Sequence, residues 1–164
     1  MRVEGSIPVR VAMVDVYVLR RGPGGLEALV LRRAPGTRSP GSWECVHGHI
    51  DDGETPEQTA TREVIEESGM APLRLYNLSR VEMFYSHRHG VVALIPAFVA
   101  VVPPEGRLVL SGEHDRGEWL ALAQARTRVS WPRLQRGLEA AELLLRDGQA
   151  GVLEDVLLVT EHRD

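Results

Sequence analysis

Three glutamates, Glu63, Glu66 and Glu67, lie in a segment with helix signals at both ends. Thr55 suits an N-cap, Pro56 the first helical position, and Gln58 stands three residues after Thr55, the spacing of a capping box. Gly69 supplies the stop, so the spacing predicts a helix over Pro56 to Ser68. On such a helix, positions i, i+3 and i+4 crowd their carboxylates onto one face. A solvated acidic face is the ordinary reading, and there each like-charge pair costs only a few tenths of a kcal/mol. In a partly enclosed site with an effective dielectric near 20, two carboxylates about 6 Å apart repel by roughly 3 kcal/mol. A hard divalent cation removes that cost, and oxygen-only ligands favour magnesium or manganese over zinc. An EF-hand is excluded, because its ligands alternate within a loop.

The elements around this helix must bring backbone and further side chains to its face. Gly48 lets the chain pass close to it, and Asp51-Asp52-Gly53 makes a tight acidic turn into the cap. Upstream, Val9 to Arg20 is apolar on both faces, as a strand buried between two layers is. The Gly22–Gly25 cluster turns the chain into a second strand, Leu26 to Arg33, and Ala34 to Ser42 reads as a surface loop. Trp43 to Ile50 makes a short strand ending at Gly48. Leu73 to Tyr85 and Val91 to Val102 read as longer strands, Leu108 to Leu110 and Glu118 to Leu120 as short ones. Trp131-Pro132 opens a last helix with Leu134, Leu138, Ala141 and Leu145 at helical spacing and Gly148 as its stop. Strands on either side of one central helix, followed by a terminal helix, predict an α/β/α sandwich with a mixed central sheet.

At 164 residues the chain suits one domain spanning 1–164. Hydrophobic residues make up 43% and charged residues 26%, which suits a packed core. All 19 basic residues are arginine. The absence of lysine excludes Schiff-base chemistry, a pyridoxal-phosphate lysine and the P-loop lysine. A net charge of −4 disfavours a broad grip on nucleic acid, so the expected partner is a small molecule. The apolar run near the N-terminus is broken by Asp15 and lacks a cleavage site, and Val91 to Val102 is too short for a membrane helix. The single Cys45 permits no internal disulfide, reads as structural, and fits a reducing cytoplasm.

Gly48, five residues, Glu54, seven residues, then Arg62-Glu63-Val64-Ile65-Glu66-Glu67-Ser68-Gly69-Met70 resembles the full box of the Nudix hydrolases, with Val64 and Met70 at its aliphatic positions. Chance odds for such a match are roughly one in several million. The box covers 23 residues; His49 departs from a second glycine common in the family. The resemblance implies a Nudix fold and hydrolysis of a nucleoside phosphoanhydride. It makes Glu63 and Glu67 the main ligands of Mg2+ or Mn2+, Glu66 a further ligand or a holder of bound water, and the Gly48 carbonyl another ligand. Arg62 would orient the glutamates, Glu54 would brace the turn, and Glu66 or Glu67 would take the proton of the attacking water.

Beyond the box, Ser111-Gly112-Glu113-His114, Glu118-Trp119-Leu120 and Trp131 resemble the dATP and dihydroneopterin triphosphate pyrophosphohydrolase group, in which an acidic residue at the Glu113 position joins the metal site. The resemblance implies a nucleoside or pterin triphosphate cleaved to monophosphate and pyrophosphate. Dinucleoside polyphosphates, nucleotide sugars, or a nucleotide sensor without turnover are the alternatives. Without lysine, phosphate contacts must come from Arg or His, and Arg32, Arg33, Arg38 and Arg88 are available. Tyr85 precedes Arg88 at a strand end, and Trp43 offers a ring for stacking on a base, although core packing is the commoner role. His47-x-His49 and His87-x-His89 lack a third nearby ligand and are read as polar surface or phosphate contacts rather than zinc sites. The chain is expected to be a monomer or a homodimer with no membrane or nucleic-acid partner.

Overall fold

The computed structural model describes residues 5–161. Nine strands form one mixed sheet: β1 (Val9–Val11), β2 (Met13–Gly22), β3 (Gly25–Arg33), β4 (Trp43–Glu44), β5 (Val46–His49), β6 (Arg74–Ser86), β7 (Val91–Val101), β8 (His114–Ala121) and β9 (Leu158–Glu161). The main path runs β4-β3-β2-β7-β6-β9, with β1 beside β7, β5 beside β2 and β8 beside β3. Strands β1 and β2 pair parallel with β7, and the remaining pairs are antiparallel. Among the described residues four α-helices accompany the sheet: α1 (Pro56–Ser68), α2 (Leu122–Arg128), α3 (Pro132–Leu145) and the short α4 (Glu154–Leu157).

Alternation along the strands splits the interior into two layers. Val14, Val16, Val18, Leu29, Phe98 and Ala100 pack against Ala60 and Val64 of α1. Tyr17, Leu19, Val30 and Val99 pack against Leu122 and Ala125 of α2 and Leu134, Leu138 and Ala141 of α3. The result is the α/β/α sandwich expected. Gly137 lets α3 lie directly on Tyr17, because a Cβ there would land on the phenol hydroxyl.

Several expectations need correction. The run from Val9 to Arg20 is two strands, and its first three residues are exposed rather than buried between layers. Trp43 to Ile50 is split at Cys45, which is fully buried with its thiol pushed up by burial. Leu108 to Leu110 forms no strand; Leu108 and Leu110 pack on the α1 layer while the Val109 amide donates to the Ser68 carbonyl at 2.8 Å. The segment Glu118 to Leu120 belongs to the longer β8, and α2, α4 and β9 follow without a strong sequence signal.

Candidate active site

The capping box closes as the spacing predicts: the Thr55 amide donates to Gln58 Oε1 at 2.9 Å and the Gln58 amide to Thr55 Oγ1 at 3.4 Å. Gly69 adopts φ 74° and its amide donates to the Ile65 carbonyl at 2.8 Å. The helix therefore presents a fixed set of side chains to the sheet. The three glutamates do not all share one environment. Glu63 and Glu67 lie on the buried face with Ala60 and Val64, whereas the Glu66 side chain is 55% exposed at the edge.

Strand β5 brings Gly48 against Glu63, and a Cβ on Gly48 would overlap the Glu63 carboxyl. Glycine here is a requirement of close approach. Arg62 gathers the surrounding acids. Its Nε donates to Glu54 Oε1 at 2.8 Å, its Nη1 to Glu63 Oε1 at 2.8 Å and Glu66 Oε2 at 3.3 Å, and its Nη2 to Glu54 Oε2 and the His49 carbonyl at 2.9 Å. Arg62 and the Thr59 hydroxyl hold the Glu54 carboxyl down at about 2, so the brace stays ionised. The Glu54 interaction in turn raises the Arg62 guanidinium above its ordinary value.

Glu67 is the outlier. It is 4% exposed, and its Oε2 is buried without a hydrogen-bond partner. Burial, then the charges of Glu63, Glu44 and Glu113, push its carboxyl up to about 9. Burial likewise raises Glu63, outweighing its bond from Arg62. Among the described residues no group of three His, Cys, Asp or Glu side chains is arranged to hold a metal ion. The carboxylates rest instead on guanidinium groups: Glu63 on Arg62, and Glu113 on Arg33 at 2.7 Å. The donor set nonetheless fits a hard cation. A buried unpaired carboxylate oxygen beside a second buried carboxylate carries the electrostatic cost that a divalent ion relieves.

Sequence reasoning overlooked the support behind Glu67. Glu44 on β4 is held by His114 Nε2 at 2.9 Å and by Arg33 at 3.4 Å. Register alone connects these groups, since β3 places Leu31 opposite Glu44 and Arg33 opposite His114. A second hidden network lies on the other face of β5. Asp15, fully buried, meets His47 Nδ1 at 2.7 Å and takes two bonds from Arg133 at 2.9 and 3.2 Å. Burial by itself would raise Asp15, but the His47 bond and the Arg133 charge bring it below its ordinary value.

The expected substrate contacts scatter. Arg32 is tied to Asp115 through two bonds of 2.8 and 3.1 Å. Trp43 packs on the α2–α3 layer beneath the Arg128 guanidinium, 4.7 Å from the ring centroid. Tyr85 pairs with Val92, five residues before the Ala97 that pairs with Asp15 beside the Gly48 partner Val14. That offset is roughly 17 Å at 3.4 Å per residue, so Tyr85 and the following turn carrying Arg88 stand away from the glutamates of their own chain. Glu113, Arg33 and Arg38 remain near: Glu113 and Arg38 both act electrostatically on His49, whose ring burial chiefly holds below its ordinary value.

Comparison with known proteins accords with this geometry. Residues 9–141 match the NUDIX domain family. An octanoyltransferase of Myxococcus xanthus is 31% identical over 148 residues, which is 85% of this chain but 38% of that protein's length. A bis(5'-nucleosyl)-tetraphosphatase (asymmetrical) of Rattus norvegicus is 32% identical over 102 residues, 61% of this chain and 67% of that one. The fold resembles that of an Ap4A hydrolase of C. elegans in a binary complex, with TM-score 0.70 and 23% identity over 84% of this chain and 99% of that one. With the glycine, the arginine hub and the glutamate helix assembled as the box requires, and the family match spanning both sheet layers, the chain belongs to the NUDIX family.

Proposed function

We propose that the chain is a divalent-cation-dependent hydrolase of a nucleoside polyphosphate. The observation that carries this reading is the buried, unpaired Glu67 oxygen in the field of Glu63, the carboxylate that Gly48 admits at close approach. Glu63, Glu67, the Gly48 carbonyl and Glu113 would hold Mg2+ or Mn2+, with Glu66 at the rim. When bound, the cations neutralise phosphate oxygens and acidify a water molecule, so no protein nucleophile is needed.

The protein's own groups then have separate tasks. Arg62 fixes Glu63 and the rim carboxylate of Glu66 in one frame, and Glu54 prevents the guanidinium from turning away. Glu66, exposed at the rim, or Glu67 would accept the proton released as water attacks phosphorus. Arg38, on the Ala34 to Ser42 loop, would supply positive charge to the phosphate chain, whereas Arg33 is engaged by Glu44 and Glu113 and serves first to hold those acids. Arg32, bound to Asp115, serves this less directly than the sequence implied.

For the substrate we favour a purine deoxynucleoside or pterin triphosphate, cleaved to the monophosphate and pyrophosphate. A second reading, a dinucleoside polyphosphate, is supported by the tetraphosphatase relative at 32% identity. Product analysis separates them. Pyrophosphate from triphosphates with magnesium, abolished by a chelator, supports the first; a mononucleotide and a nucleoside triphosphate from a dinucleoside tetraphosphate at much higher kcat/KM supports the second. Release of sugar phosphate from a nucleotide sugar as the dominant activity defeats both.

A further inference from the structure

The α1 helix covers only part of its side of the sheet. Beyond it, strand register aligns an apolar surface across three strands. Val9, Val92 and Tyr85 form one row, Val11, Leu94 and Met83 the next, and Pro96 with Val81 the third. Directly opposed residues share a face, and Leu94 and Pro96 have the same parity on β7 as Phe98, which packs under α1. Among the described residues the surface is therefore the uncovered continuation of a core layer. Met83 is 72% exposed, and Val9, Val11, Val81 and Tyr85 each exceed 50%.

We infer that this face is the contact surface of a symmetric homodimer, two copies packing sheet on sheet. Three strands about 4.8 Å apart and some five residues long give a footprint of roughly 15 by 17 Å, on the order of 500 Å² of accessible surface once side-chain relief is included. That lies at the upper end of what monomers leave exposed, and two such faces bury on the order of 1,000 Å², the size at which specific interfaces begin. No charged side chain stands in the three rows, and a flat pleated surface is matched by another at the usual sheet spacing of about 10 Å.

Charge at the two ends sets the orientation. The turn between β6 and β7 carries His87, Arg88 and His89. At the opposite end the Ile50 amide donates to the Ala12 carbonyl at 2.9 Å, placing the Asp51-Asp52 turn beside the base of β1. A twofold axis across the strands brings each basic turn to the acidic turn of the other copy, whereas an axis along them opposes like charges. The first arrangement also carries Tyr85 and Arg88 toward the loop that enters α1 of the second copy, the place their own chain does not bring them.

The test is molar mass by sedimentation equilibrium across a concentration series, with circular dichroism to verify folding. The wild-type chain is expected to dimerise, and Met83→Glu to weaken the dimer by roughly a hundredfold or more, because each copy buries a carboxylate. Arg88→Glu should weaken it about two- to fivefold, and Arg88→Glu with Asp52→Arg should restore it. A wild-type monomer at every soluble concentration overturns the inference, as does a dimer unaffected by Met83→Glu in a folded variant. Failure of the charge exchange to restore the Arg88→Glu dimer overturns the orientation.

Discussion

Replacing Glu67 by glutamine should make the cation-free protein more stable while removing most of its turnover. Burial, with the neighbouring carboxylates, pushes this carboxyl up to about 9 from an ordinary value of 4.5. Because the folded value is raised, the folded state keeps a proton that the unfolded chain loses. The cost is absent below about pH 4.5, grows through the interval, and is complete above about pH 9. At pH 7 the folded protein holds its proton across 2.5 units, the difference between 7 and 4.5. At about 1.36 kcal/mol per unit this is about 3 kcal/mol of lost stability. Glutamine resembles the protonated acid in shape and carries no such burden. Denaturant titration with a chelator present should thus show wild type and Glu67→Gln equally stable near pH 4.5. The variant should then gain by about 3 kcal/mol at pH 7 and more at pH 8.5. Adding magnesium should reverse the order, since only wild type gains fully from the ion. Parallel stability curves for the two proteins from pH 4.5 to 8.5 would refute the reasoning, and so would a variant less stable than wild type at pH 8.5.

Gly48→Ala should displace the Glu63 carboxyl and reduce kcat roughly a hundredfold with little loss of secondary structure, checked by kinetics and circular dichroism. Arg62→Lys keeps the charge but loses the fork that joins Glu54, Glu63 and the His49 carbonyl, so metal affinity should fall about tenfold or more by calorimetry. Glu113→Ala should lower turnover only partly and raise the magnesium concentration needed for half-maximal rate, because water and substrate fill the open positions. Gly137→Ala should cost about 1–3 kcal/mol in thermal or denaturant unfolding, since the added methyl meets the Tyr17 hydroxyl across two packed layers.

Local chemistry made α1 legible. Thr55, Pro56, Gln58 and Gly69 each act within one turn, and the helix begins and ends where they place it. The last helix was equally open, because Pro132 and a 3.6-residue apolar period need no distant partner. Glu44 and His114 could not be found this way. Their meeting depends on which strands flank β3, and nothing in a 70-residue separation encodes that register locally. Asp15 and Arg133 are 118 residues apart and share the same obscurity. The split of the glutamates is intermediate: the period placed them on one side of a helix, but only the docked sheet decides that Glu67 is sealed and Glu66 is wet.

The Asp15 network has a mechanical meaning for the site. On β5, His47 and Gly48 are adjacent residues that face opposite layers, one linked through Asp15 to α3 and the other pressed against Glu63. The floor beneath the glutamate cluster is therefore one peptide unit thick, with its underside riveted through Asp15 and Arg133 to α3 on the opposite layer. A spectroscopic label on the Arg133 guanidinium should consequently register cation loading from the far side of the sheet. Conversely, substitutions beneath that rivet should blunt turnover while leaving every residue of the glutamate helix intact.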